Sequence, residues 1–324
     1  MRRREFIALL GGTVVACPLA ASAQEPGRTY HLGGLFPSPR EAPQNVAMFA
    51  ELRRSGFIEG QNLTIDWREY GQRVELVSKF AAELVEARVN VIAAGGDFGI
   101  RAAQRATATI PIIGFTDDML GSQLVNSLSR PGGNTTGISL LATELDGKRQ
   151  EILIEAVPGL RRMAALADTE TTSSRQLQAL QDAARARGAE LSIHRVAKAE
   201  EIALAIDTAK ASNAAALNVL ASPLLFANRH VIIEQARTLR LPAIYQWPEV
   251  AEQGGFIGYG PRIVQLFRDL LARQLVKALR GTRPADLPVE QPAKFELVIN
   301  LQTAKAIGHE VPAGLVLRAD KVIE

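Results

Sequence analysis

Val91-Ile92-Ala93-Ala94, then a helical stretch, then Ile110-Pro111-Ile112-Ile113, is the passage whose reading decides the fold. The same order returns in the second half of the chain as Leu217-Asn218-Val219-Leu220, a helical stretch, and Leu241-Pro242-Ala243-Ile244. Strands apolar on both faces and separated by helices belong to parallel sheets covered on both sides. Each proline stands where a strand enters, a position that tolerates a missing N–H. A weak internal repeat of this kind predicts two α/β lobes, divided near Gly133–Ser139.

Outward from these passages the alternation continues. Strands are expected over His31–Phe36, Leu63–Tyr70 and Val89–Ala94, with helices over Asn45–Arg54, Val74–Ala87 and Ile100–Ala108. On the first helix, Val46, Phe49, Ala50 and Arg53 are spaced to one face. The second half gives strands Met163–Ala167, Leu191–Val196, Ala215–Leu220 and Ala243–Gln246. Its helices are expected near Ser174–Arg187, Glu200–Ala211 and Phe226–Leu239. A long helix, Ile263–Leu279, follows the glycine-rich passage Gly254–Gly260 and is expected to return to the first lobe. The lobes are therefore assigned as 24–138 plus about 260–290, and 139–259 plus about 291–324. Gly137-Ile138-Ser139 and Gly258-Tyr259-Gly260 are the hinge candidates.

The first residues read as an export signal. Arg2-Arg3-Arg4, an apolar run from Phe6 to Val15, and Ala21-Ser22-Ala23 form a removable signal peptide over residues 1–23. The apolar run is too short to span a bilayer. Arg3-Arg4-Glu5-Phe6 fits a twin-arginine signal, with an ordinary Sec signal as the other reading. Val14-Val15-Ala16-Cys17 resembles a lipoprotein box, but the Ala-x-Ala site behind it favours a free periplasmic protein. Cys17 is the only cysteine, so the mature chain has no disulfide, thiol chemistry or cysteine metal ligand.

The 324 residues carry a formal charge of +3, and the signal segment accounts for most of the excess. The basic isoelectric point near 9.1 is thus no footprint of nucleic acid. A 47% hydrophobic composition is ample for two cores.

Catalytic patterns are missing. His31, His194, His230 and His309 are scattered, without metal-ligand spacing. There is no G-x-S-x-G elbow and no phosphate loop, and Gly95-Gly96-Asp97-Phe98-Gly99 lacks the dinucleotide order. No cofactor is expected. In open parallel sheets, ligands bind beyond the carboxyl ends of the strands. Those positions hold Pro37, Ser38, Gly96, Asp97, Phe98, Thr116 and Asp117 in the first lobe. In the second they hold Thr169, Thr171, Thr172, Ser222, Pro223, Tyr245 and Gln246, with Tyr259 at the later crossing. Hydroxyls and glycines at helix N-termini suit an anion, Asp97 or Asp117 an ammonium, and Phe98, Tyr245, Trp247 or Tyr259 a flat group. Each Ser, Thr or Asp there is also an ordinary helix cap, so the argument rests on their convergence. Asp117-Asp118 reads as a loop pair or a cap beside one contact rather than an acid/base couple.

Longer blocks carry a resemblance. Ser55-Gly56-Phe57-Ile58-Glu59-Gly60-Gln61-Asn62, Ser129-Arg130-Pro131-Gly132-Gly133-Asn134-Thr135-Thr136-Gly137 and Arg240-Leu241-Pro242-Ala243-Ile244-Tyr245 are three of them. Pro284–Pro292, Phe295–Asn300 and Arg318–Glu324 follow in order. Together they resemble the ABC transporter substrate-binding family that includes tryptophan- and tyrosine-binding lipoproteins. The resemblance implies a type I periplasmic-binding fold, two Rossmann-like lobes with three crossings and a hinged cleft. It implies a monomeric receptor that delivers a small molecule to an ABC permease and its ATPase. A ligand-sensing partner of a membrane signalling receptor is the alternative on the same fold. The chain departs from the family pattern at Gly95-Gly96-Asp97-Phe98, usually Gly-Thr-Pro-Ala-like, and at Asp117-Asp118, usually Asp-Pro. Both lie where the ligand is expected, so an aromatic amino acid does not simply carry over.

Overall fold

The computed structural model describes residues 28–324, with the side chains of 142 and 143 left aside. The signal segment, with Arg3-Arg4 and Cys17, lies outside the described residues.

The first half builds β1 (Tyr30–Phe36), α1 (Pro43–Arg54), β2 (Leu63–Glu69), α2 (Val77–Glu86), β3 (Val91–Gly95), α3 (Gly96–Ala106), β4 (Ile112–Thr116) and β5 (Thr135–Ser139). Its five strands are all parallel, in the order β2-β1-β3-β4-β5. The second half builds α4 (Ala142–Ala156), β6 (Arg162–Asp168), α5 (Ser174–Ala186), β7 (Glu190–Val196), α6 (Ile202–Ala211) and β8 (Leu217–Val219). It continues with α7 (Pro223–Ala227), α8 (Arg229–Thr238), β9 (Ala243–Tyr245), α9 (Pro248–Glu252) and β10 (Ile257–Gly260). The second sheet runs β12-β11-β10-β9-β8-β6-β7. Taken alone, β7-β6-β8-β9-β10 repeats the winding of the first sheet, so the sequence repeat is a repeat of topology. Both halves are doubly wound, and each switches direction beside its first strand.

After β10 the chain leaves the second sheet through α10 (Ile263–Gln265), a π-helical turn Leu266–Leu271, and α11 (Ala272–Leu279). This run packs on the first sheet: the Phe267 ring lies 5.8 Å from Phe36 and 4.6 Å from Phe115. The returning segment then covers the edge of β5, where Glu290 N–H donates to Gly137 O at 2.8 Å and Ser139 N–H to Glu290 O at 2.9 Å. Covering that edge removes an open row of backbone groups. The chain ends with β11 (Glu296–Asn300), α12 (Leu301–Ala306), α13 (Ala313–Val316) and β12 (Lys321–Ile323). Among the described strands only β11 against β10 is antiparallel. Among the described residues no helix is long and apolar enough to cross a membrane.

Several local expectations need correction. The buried face of α1 is Gln44, Asn45, Met48 and Leu52, while Val46 is 52% exposed. Asn45 belongs inside because its amide donates to Ser38 Oγ and Pro39 O, tying down the loop after β1. Helix α3 begins at Gly96, four residues before the expected start, so Asp97 and Phe98 stand in its first turn. The helix expected over Phe226–Leu239 is two helices, parted at Asn228. The hinge candidates Gly137-Ile138-Ser139 and Gly258-Tyr259-Gly260 lie within strands β5 and β10.

Gly137 carries a sharp prediction. Its φ is +148°, and a Cβ there would lie 1.9 Å from Gly114 O, a backbone atom that cannot step aside. Gly137→Ala is expected to cost about 3 kcal/mol or more, read as a lowered urea midpoint.

Candidate functional site: the strand ends between the lobes

In the first lobe, the loop after β1 presents Pro37 and Ser38, held by Asn45 and by Trp67 Nε1, which donates to Ser38 O at 3.2 Å. Beside it, Tyr70 donates to Gly95 O at 2.7 Å, fixing the turn from β3 into α3. Burial, with the Asp97 charge nearby, keeps the Tyr70 phenol protonated far above neutral pH. Thr116, buried at the end of β4, donates to Asp97 Oδ1. Asp117 follows, and its Oδ1 lies 3.5 Å from Gln246 Nε2 of the second lobe. Asp118 does not share this position; it caps the backbone N–H groups of Leu120 and Gly121.

In the second lobe, Asp168 ends β6 and organises the neighbouring turns. It accepts from Ser222 Oγ at 2.6 Å and from Glu170 N–H at 2.9 Å, and Ser222 also caps Leu225 N–H. Pro223 opens α7, at a position where its missing N–H costs nothing. Thr172 is buried and Thr171 exposed, and Thr169 holds a buried Oγ1 without a hydrogen-bond partner. Two expected stacking residues are instead engaged inside this lobe. The Tyr245 ring is 3% exposed and packs where a Gly255 side chain would stand. The Tyr259 ring stacks on Phe295 at 6.4 Å. Trp247 is likewise buried, edge-on to Phe226 at 6.0 Å.

Sequence reading missed the most heavily buried charges. On α4, Arg149 and Asp146 form an ion pair with no exposed surface on either side chain. Gln176 donates a second bond to Asp146, and Arg149 Nε donates to Tyr259 O at 2.9 Å. Arg149 Nη2 is buried and has no partner. Burial pushes Asp146 up and Arg149 down, and their mutual attraction opposes both shifts. The chain after Gln246 must pass closely: a Cβ on Gly260 would meet Gln246 O at 2.1 Å.

The site thus sets Asp117 of one lobe against the Gln246 amide of the other. Asp97 and Asp117 come from one, and Asp146, Arg149 and Gln246 from the other. Asp117 is raised to about 7, first by burial, then by the negative charges of Asp146 and Asp97, with Arg149 and Gln246 opposing. No group of His, Cys, Asp and Glu among the described residues has the arrangement of a metal site.

Residues 47–323 match the model of the ABC transporter substrate binding protein family. The chain belongs to this family. Its members are substrate-binding proteins, which act outside the cytoplasmic membrane. A tyrosine-binding protein of Clostridioides difficile (strain R20291) is 26% identical over 262 residues, spanning 79% of this chain and 74% of the relative. Among solved structures, an ABC domain in complex with L-Trp from Streptococcus pneumonia superposes with a TM-score of 0.82 at 22% identity, covering 91% of this chain and all of the other. The ligand-free, open structure of a Clostridium difficile substrate-binding protein with adhesive properties gives 0.64 at 21% identity, covering 91% and 99%. The type I periplasmic-binding fold expected from the sequence is the fold observed.

Proposed function

We propose that this protein is the periplasmic receptor of an ABC importer, exported by the twin-arginine signal at Arg3-Arg4, and that it closes its two lobes on one small amphipathic molecule. It hands that molecule to a membrane permease driven by a partner ATPase, and it performs no chemistry on it. The observation that carries this reading is the meeting of strand-end side chains from two separately wound sheets, above all Asp117 against Gln246. A site split between two lobes is completed by closing, which suits capture and release. The ligand-binding surface is assigned to Pro37, Ser38, Gly96, Asp97, Phe98, Thr116 and Asp117 on one side, and to Thr169, Thr171, Thr172, Ser222, Pro223 and Gln246 on the other. Bending falls to the segments just past β5 and β10. Relatives that bind tyrosine and tryptophan support an amino acid or a related aromatic molecule as the ligand.

The test is thermal unfolding of ligand-stripped protein against amino acids, aromatic acids and amines. A true ligand at a hundredfold its Kd adds about 2.7 kcal/mol, a rise of several degrees. Silence across the whole panel would contradict the reading.

A further inference from the structure

Three segments join the lobes: Leu140-Leu141 between β5 and α4, Pro261-Arg262 between β10 and α10, and residues 291–295 ahead of β11. The third is a strap, Gln291-Pro292-Ala293-Lys294-Phe295, with a glutamate at each end. Each glutamate also holds another crossing. On the first lobe, the Glu290 backbone is bonded on both sides to β5, which leads into the first crossing. Its carboxylate accepts from Gln274 Nε2 at 2.8 Å and from Arg273 Nη2, both on α11, the run that the second crossing feeds. Gln274 is buried and donates to Pro288 O as well. On the second lobe, Glu296 accepts from Arg262 Nε at 2.7 Å, so the second crossing is tied to the end of the third. Arg262 Nη1 lies 2.9 Å from Glu252 Oε1 on α9. The Arg262 and Glu296 side chains are only 16% and 12% exposed, so solvent screens this pair less than an ordinary surface pair.

We propose that Glu290 and Glu296 are the anchors of a single hinge: each gathers the crossings at its own lobe, so the lobes turn together about the strap and the two short segments beside it. This rests on the reading of the protein as a receptor whose lobes move, and it assigns what guides the movement. Three independent links of two to five residues would permit twist and slide as well as closure. The anchors remove that freedom. They hold the helical run that enters the first lobe at two places, by Arg262 to Glu296 and by Arg273 and Gln274 to Glu290. Crossings gathered in this way leave the few bending residues that hinge closure uses. Both glutamates are positioning residues, acting through the angle between the lobes.

The experiment places spin labels on cysteines introduced at Val46 on α1 and Leu204 on α6, which are 52% and 68% exposed. Cys17, the only native cysteine, falls in the signal segment, so no other thiol of the mature chain takes the label. Pulsed electron resonance then reads the spread of lobe separations in ligand-stripped protein. Arg262→Gln, Glu296→Gln and Glu290→Gln are each expected to raise the share of separations outside the unsubstituted range about tenfold, the loss of one charge-assisted hydrogen bond. The double variant of Arg262→Gln with Glu296→Gln is expected to go no further than its singles, since both remove one interaction. Arg318→Gln, which breaks an exposed pair with Glu155 on the second lobe, is expected to leave the spread unchanged. Circular dichroism checks each fold, and the near-isosteric glutamate variants decide the matter if Arg262→Gln does not fold. Unchanged spreads in the anchor variants would overturn the proposal, as would equal spreading in Arg318→Gln. A ligand found in the thermal panel alongside unchanged spreads sinks the anchors and leaves the receptor reading standing. Broadened spreads with a silent panel support the anchors and count against the receptor reading alone.

Discussion

Arg149→Met is expected to lower the stability of the protein by about 3–5 kcal/mol, the largest single effect among substitutions at the lobe contact. The side chain has no exposed surface, and its loss leaves Asp146 buried without its cation. Gln176 and the backbone of Ala221 would remain as donors to Asp146, but neither carries charge. The bond from Nε to Tyr259 O would go as well, loosening α4 from the crossing strand β10. At roughly 2–4 °C per kcal/mol for a unit of this size, the melting temperature should fall by about 10 °C. The double variant Asp146→Asn with Arg149→Met removes the stranded charge and is expected to recover most of that loss. A double variant no more stable than the single one would show that packing, not charge, sets the cost.

The second large effect concerns pH. With the lobes placed as they are here, Asp117 is raised to about 7 by burial and by the charges of Asp146 and Asp97. In an open form it meets water and leaves the charge of Asp146, though not that of Asp97 on its own lobe, so it titrates lower. A group whose closed-state pKa is raised favours closure fully below the lower value. That contribution fades as pH rises and is lost above about 7. Each unit of that difference is worth about 1.4 kcal/mol. Small-angle scattering of the empty protein should therefore show a smaller radius of gyration at pH 5 than at pH 8. Asp117→Asn, neutral throughout, is expected to remove the dependence. Expansion on acidification would contradict the sign of the effect.

Much of the fold was legible because buried parallel strands leave continuous apolar runs, and both halves carry them. Val91–Ala94 and Leu217–Leu220 stand at equivalent places in two sheets with the same winding. The face of α1 was misread because periodicity records apolar residues only. Asn45 is inside for its hydrogen bonds, which no hydropathy pattern reports. Helix α4 was passed over for a related reason: charged residues interrupt its apolar stripe. The trace was nonetheless present, since Arg149 falls on the line through Leu145, Ile152 and Leu153, all buried. A charge on a helix's apolar line, with an acid three residues before it, marks a buried pair.

The strand-end polar residues were also visible in the sequence, but which of them converge was not. Asp97, Thr116, Asp117 and Gln246 form one connected group, although Gln246 is far from the others along the chain. Tyr245 and Tyr259 share their positions near strand ends, yet backbone direction turns both rings toward protein partners. Strand polarity names the end of the sheet where a ligand sits; only packing decides which side chains remain available to it.

The central claim is that two lobes close on one small molecule. Its most direct test begins with native mass spectrometry of protein made in its own host, to release and identify whatever is bound. That molecule is then returned to stripped protein at pH 8 and followed by small-angle scattering. One molecule per chain and a smaller radius of gyration when it binds are the expected results. A molecule that binds with no change in that radius would contradict the claim.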